Sequence, residues 1–228
     1  HVRDEVRQLL ALEDQARLRE EDPFTGSWTS IAPTRLIGIR SRFEVDLNRP
    51  RDKAVYRTPE DAWGLQVWHE ELPEAVAEES LAEHDAFFAR LKEILDAKVA
   101  EYGNFVLFDL HTYNYRRQGP DGPEADPEAN PQVNIGTGTM NRDRWATVVD
   151  RFVADLRSFD FPGGPLDVRE NVKFQGGQVP RWVHENYPET GCALAIEFKK
   201  FFMDEWTGEP EASMVEAIGS SLCWTRQG

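Results

Sequence analysis

Asn104–Asn114 reads NFVLFDLHTYN, and this stretch decides the fold. Four apolar residues, Phe105 to Phe108, give way to Asp109, His111, Thr112 and Tyr113. A strand that is apolar on both faces therefore ends abruptly in groups able to bind a metal or donate hydrogen bonds. Continuous apolar strands belong to parallel sheets covered on both faces, and such sheets bind ligands beyond the carboxyl ends of their strands. Asp109 and His111 lie two apart and share a face. Two readings fit them equally: chemistry at the end of a central strand, or a hydrogen-bonded pair that caps the sheet.

Working outward, the stripe Leu81, His84, Phe88, Leu91 and Leu95 predicts a long helix over Pro73 to Tyr102, closing at Gly103 and leading into the central strand. Residues 1–21 carry Val2, Val6, Leu9 and Leu10 near helical spacing and predict a first amphipathic helix, stopped by Asp22-Pro23. Arg35 to Ile39 and Phe43 to Leu47 read as short strands. Residues 116–132, rich in Pro, Gly, Asp and Glu, form a long surface loop expected to act as a lid or rim. Further strands are expected at Val133–Gly136, Leu166–Glu170 and Cys192–Phe198. Helices are expected after the cap Asn141, over Val179–Tyr187 and over Glu211–Trp224. Strands alternating with helices predict an α/β three-layer sandwich with a mixed, mostly parallel central sheet.

The 228 residues fit one domain over 1–228. With 41 acidic against 26 basic side chains the formal net charge is −15, a surface that repels phosphate backbones and anionic lipid. Nucleic-acid and membrane binding are thus excluded as first readings. No run approaches ~18 apolar residues and no signal-peptide pattern opens the chain, which points to the cytoplasm. Cys192 and Cys223 form no metal or disulfide pattern.

Two further groups carry chemistry. Glu197 ends the apolar run CALAIEF on the face of Ala193 and Ala195, where an unpaired charge costs several kcal/mol. It needs a partner, Lys199 or Lys200, or a task as a general base. Arg42, Asp46 and Asn48 have strand parity and Arg49 follows, so guanidinium and amide groups gather at one rim to fork onto a carboxylate, or Asp46 simply pairs with an arginine. His84 reads as a core histidine, His69 as solvated and His184 as packing or capping.

In order, Asp46-Leu47-Asn48-Arg49, Asp109-Leu110-His111-Thr112 and the late Ala195-Ile196-Glu197 resemble the zinc carboxypeptidase superfamily. With Ser41 to Pro50, Asn134 to Thr137 and Phe174 to Gly177 added, the likeness is to N-formylglutamate amidohydrolases. The resemblance implies zinc as cofactor, His111 as a zinc ligand and Glu197 as the catalytic base. It implies Asn48 and Arg49 as a carboxylate clamp with Arg42 as a second cation. Gly176-Gly177 and Arg181 match a glycine turn and an arginine that closes over substrate. The superfamily takes two more zinc ligands from an early motif; either His1 with Asp4 or Glu5 supplies them, or a short segment preceding His1 does. The implied substrate is a small anionic N-acyl amino acid, with N-formylglutamate as prototype. A carboxypeptidase, another N-acyl amino acid hydrolase and a metal-less ligand-binding relative are the alternatives.

Overall fold

A computed structural model describes residues 1–226. In chain order the helices are α1 (Asp4–Arg7), α2 (Asp14–Glu20), α3 (Thr25–Trp28), α4 (Glu74–Tyr102), α5 (Ala146–Ser158), α6 (Gln178–Asn186) and α7 (Ala212–Trp224). The strands are β1 (Phe105–Tyr113), β2 (Val133–Gly136), β3 (Val168–Glu170) and β4 (Gly191–Lys199). The chain forms two compact units, one of residues 1–21 and 36–105, the other of 22–35 and 106–228.

The first unit holds α1, α2 and α4 around Phe43, Val45, Tyr56, Trp68, Leu72 and Leu81. Helix α4 follows its apolar stripe and stops where Gly103 turns to φ +80°, a conformation glycine adopts without Cβ strain. The single helix expected over residues 1–21 is instead two, α1 and α2. Between them the backbone bonds elsewhere: Ala11 N–H donates to Val67 O at 2.9 Å and His69 N–H to Leu9 O at 3.0 Å. The strands expected at Arg35–Ile39 and Phe43–Leu47 are also absent. The first run has no ladder partner, and Ile39 is exposed. In the second, Glu44 and Val45 N–H groups both bond Ser41 O, and Asp46 Oδ1 accepts Asn48 N–H at 3.0 Å. Such local bonds compete with a ladder and make turns.

The second unit is an α/β sandwich with a mixed, mostly parallel sheet in the order β1-β4-β2-β3. β2 runs parallel to β3 and antiparallel to β4. All nine residues of β4 are buried, whereas β1 lies at the end of the strand order with Val106 exposed. The stretch expected at the centre is therefore an edge strand, and β4 is the centre. Cys192, Leu194, Ile196 and Phe198 share one apolar cluster with Phe152 and Leu156 of α5 and Ile218 and Leu222 of α7. Phe108 and Leu110 of β1 pack against the same cluster. Period-two alternation then sends Asp109, His111, Ala193, Ala195 and Glu197 to the opposite face, on which α6 packs against β4. Asn141 caps the turn entering α5, its Oδ1 accepting Arg144 N–H at 3.1 Å. Among the described residues no helix is long and apolar enough to cross a membrane.

Candidate active site

The polar face of the sheet is assembled strand by strand. Asn134 of β2 stands directly across from Glu197 of β4. Its side chain is held by the next segment of chain: Oδ1 accepts Lys173 N–H at 2.9 Å and Nδ2 donates to Phe174 O at 2.8 Å. That segment descends onto β2 so closely that a Cβ on Gly136 would lie 2.6 Å from Gly176 N. Gly136 is therefore needed for the approach, and Gly176 for its φ of +112°. The glycine turn read in the sequence does its work here.

β1 contributes Asp109 and His111. His111 Nε2 faces Asp109 Oδ2 at 3.0 Å, off the line of a hydrogen bond, and Nδ1 faces Asp22 Oδ2 at 3.6 Å. Asp22 Oδ1 accepts the Thr112 N–H at 2.7 Å, so its carboxylate is fixed beside the imidazole. Burial pulls the His111 pKa down, but the charges of Asp109 and Glu197 and the carboxylates of Asp109 and Asp22 beside the two ring nitrogens outweigh it and raise it well above 6.5. An imidazole among three carboxylates is a place that stabilises positive charge. Asp22 was read in the sequence only as a helix stop; an aspartate directly after the acidic pair Glu20-Glu21 and before Pro23 was the one available signal.

Whether these residues suit a zinc ion is a question of donor spacing. Ligand atoms about 2.1 Å from a tetrahedral metal lie about 3.4 Å apart, close to the His111 Nδ1 to Asp22 Oδ2 separation of 3.6 Å. A carboxylate beside the other ring nitrogen, here Asp109, is the relation that orients metal-binding histidines. Two donors thus fit; among the described residues no group of three or more His, Cys, Asp and Glu is gathered to hold a metal.

The remaining residues singled out in the sequence lie as follows. Lys199 donates to Asn130 O at 3.2 Å. Arg181 is exposed on α6. His184 is buried; its Nε2 accepts the Ala193 N–H at 3.1 Å, which places the ring proton on Nδ1, 2.9 Å from Thr139 Oγ1. Burial lowers its pKa to about 4. The loop over residues 116–132 is anchored: Glu205 accepts the Tyr115 and Arg116 N–H groups at 2.7 and 3.1 Å, and Arg169 donates to Glu128 O at 2.8 Å.

In the first unit, Asp46 organises the arginines through turns rather than strand parity. Its Oδ2 accepts from Arg42 at 2.9 Å and from the Tyr56 hydroxyl, and lies 3.8 Å from Arg49 Nε. The carboxylate and the buried position together raise the Tyr56 pKa, burial being the larger cause, so the phenol stays a donor. Both guanidiniums lie over Trp63, at 5.0 Å for Arg42 and 5.9 Å for Arg49. His84 Nε2 bonds the Arg49 carbonyl at 3.0 Å and its ring lies against Phe88, so this core histidine also holds the Arg49 backbone. His1 Nδ1 lies 3.1 Å from Arg40, and Glu5 lies 3.6 Å from Arg3.

An α/β sandwich with a glutamate, an imidazole and paired carboxylates on one sheet face has the make-up of a hydrolytic enzyme. The chain belongs to the N-formylglutamate amidohydrolase family, whose model matches residues 1–203. The fold is similar to the crystal structure of N-formylglutamate amidohydrolase from Ralstonia eutropha JMP134, with a TM-score of 0.68 at 15% identity over 95% of this chain and 84% of that one. It is also similar to a gene product from Agrobacterium tumefaciens, with a TM-score of 0.57 at 18% identity over 93% and 82%. Comparison with curated proteins gives no significant match.

Proposed function

We propose that this protein hydrolyses the formamide bond of N-formylglutamate, releasing formate and glutamate. Family membership supports the reaction class, and the observation that carries the chemistry is the buried Glu197 on the same sheet face as His111 and Asp109. Glu197 takes a proton from the attacking water and passes it to the amine as the C–N bond breaks. His111 and Asp22 would hold two positions on a zinc ion, which when bound would polarise the formyl carbonyl and make a water more acidic. Arg42, Asn48 and Arg49 are carried from the resemblance as the clamp on a substrate carboxylate, a role guanidiniums suit by their forked donors. Arg181 closes over the substrate from α6.

The test is formate release from N-formyl-L-glutamate before and after chelation, with elemental analysis of the purified protein. Near-stoichiometric zinc and chelator-sensitive turnover support the proposal. Absence of turnover after zinc is restored overturns it. An arginine clamp suits any N-acyl amino acid, so N-acetyl-L-glutamate run in parallel separates deformylation from broader N-acyl hydrolysis.

A further inference from the structure

Lys173 and Lys199 bring two ammonium groups to one buried asparagine. Lys173 Nζ donates to Asn130 Oδ1 at 2.6 Å and Lys199 Nζ to the Asn130 carbonyl at 3.2 Å. Among the described residues neither amine has a carboxylate within ion-pair distance. Lys199 feels the more distant charges of Glu124 and Asp167. Lys173 feels only the like charge of Arg117, which adds to burial in lowering its pKa. Aromatic rings shape the place: Lys173 Nζ lies 5.4 Å from the Tyr113 ring centre and 5.7 Å from that of Phe174. Lys173 is exposed and Lys199 is buried; two ammonium groups converging on one neutral asparagine repel each other until an anion joins them. An ammonium has three protons, and Asn130 uses one.

Its position is tied to the polar face of the sheet. The Lys173 N–H bonds Asn134, the residue across from Glu197. Tyr113 follows His111 by two residues on the same face of β1, a spacing of about 6.5 Å along a strand. Five bonds separate a formyl carbon from the side-chain carboxyl carbon of glutamate, about 6 Å when extended.

We infer that Lys173, backed by Lys199 and Asn130, forms an anion subsite that takes the side-chain carboxylate of a dicarboxylic N-formyl substrate. This rests on the proposed hydrolysis and assigns the specificity within it. The subsite selects for a carboxylate over its neutral isostere, because an amide in that position leaves the Lys173 charge uncompensated.

The experiment compares kcat/KM for N-formyl-L-glutamate and N-formyl-L-glutamine in the full chain, in Lys173→Gln, which keeps a donor to Asn130, and in Lys173→Arg, which keeps the charge. The wild type prefers the glutamate compound at least about tenfold, the scale of one hydrogen bond to a charged group. K173Q collapses this ratio toward one through KM, with the glutamine compound little changed, and K173R retains most of it. Turnover with a wild-type ratio near one, or K173Q slowing both compounds alike, overturns the subsite alone. Turnover of neither compound by the wild type overturns the hydrolysis proposal and the subsite with it.

Discussion

Two charge clusters in this chain are built in opposite senses. Around Asp46, two guanidiniums share one carboxylate and lie over the ring of Trp63. Around His111, three carboxylates act on one imidazole. The first gathers guanidiniums about a carboxylate; the second gathers carboxylates about an imidazole and so raises its pKa. A net charge of −15 decides neither, because a local field follows the few groups held within hydrogen-bonding distance. Under the proposed hydrolysis the first cluster is the candidate for binding and the second the candidate for reaction.

The largest expected effect tests the reacting cluster. Glu197→Gln keeps the shape and removes the base, so kcat for formate release falls about 10²–10⁴-fold while KM changes little. An equal loss through KM alone would place Glu197 in binding and erase the contrast.

Next comes pH, where two imidazoles of the second unit are expected to behave oppositely. His184 titrates at 6.5 when unfolded and at about 4 when folded. The unfolded chain therefore holds more protons between those values, and stability rises with pH across them and is lost as pH falls. The span corresponds to about 3 kcal/mol, read as the slope of denaturation midpoints that His184→Gln flattens. In metal-free protein His111 has a raised folded pKa. Its contribution is complete below 6.5 and is lost as pH climbs through the raised value. Proton NMR of the two rings follows both signs directly.

The binding cluster gives smaller changes. Arg49→Met removes one guanidinium from the clamp and raises KM about 10–100-fold, the scale of hydrogen bonds to a charged group, with kcat largely kept. A fall in kcat at constant KM would contradict a binding role. Trp63→Leu is the mildest. It removes a ring beneath both guanidiniums, each contact contributing about 0.5–1 kcal/mol, and so raises KM severalfold. Trp63 sits at φ +56°, unusual for a bulky residue. Trp63→Gly relieves that conformation while losing the ring, and should bind as weakly as W63L while being the more stable of the two.

Elements whose signal is local were legible. Helix α4 announces itself by apolar residues at i, i+3 and i+4 and ends at Gly103, and β4 by seven residues with one charge among them. Residues 43–47 have the composition of a strand, yet Ser41 and Asp46 turn the backbone on itself. The stretch 104–114 was recognised as a strand leading to the site, but its place in the sheet was misread, since an apolar run does not say how many of its faces are covered. The candidate site was legible in the same uneven way. His111, Glu197 and Arg49 stand in recognisable local patterns. Asp22, 89 residues before His111, gives no local sign of meeting it, nor does Lys173 of meeting Asn130.

By itself the sequence determined that 73–102 is a long helix, that 104–114 and 192–198 are strands, and which residues carry reactive groups, because periodicity is written over a few neighbouring residues. Only the tertiary structure decided that β4 is the centre, that Asp22 stands beside His111, and that Asp46 gathers two arginines. Those relations depend on contacts between distant or turn-bound segments. The chain meets them only once the apolar cluster has closed and period-two alternation has turned the polar residues of β1 and β4 to the same face.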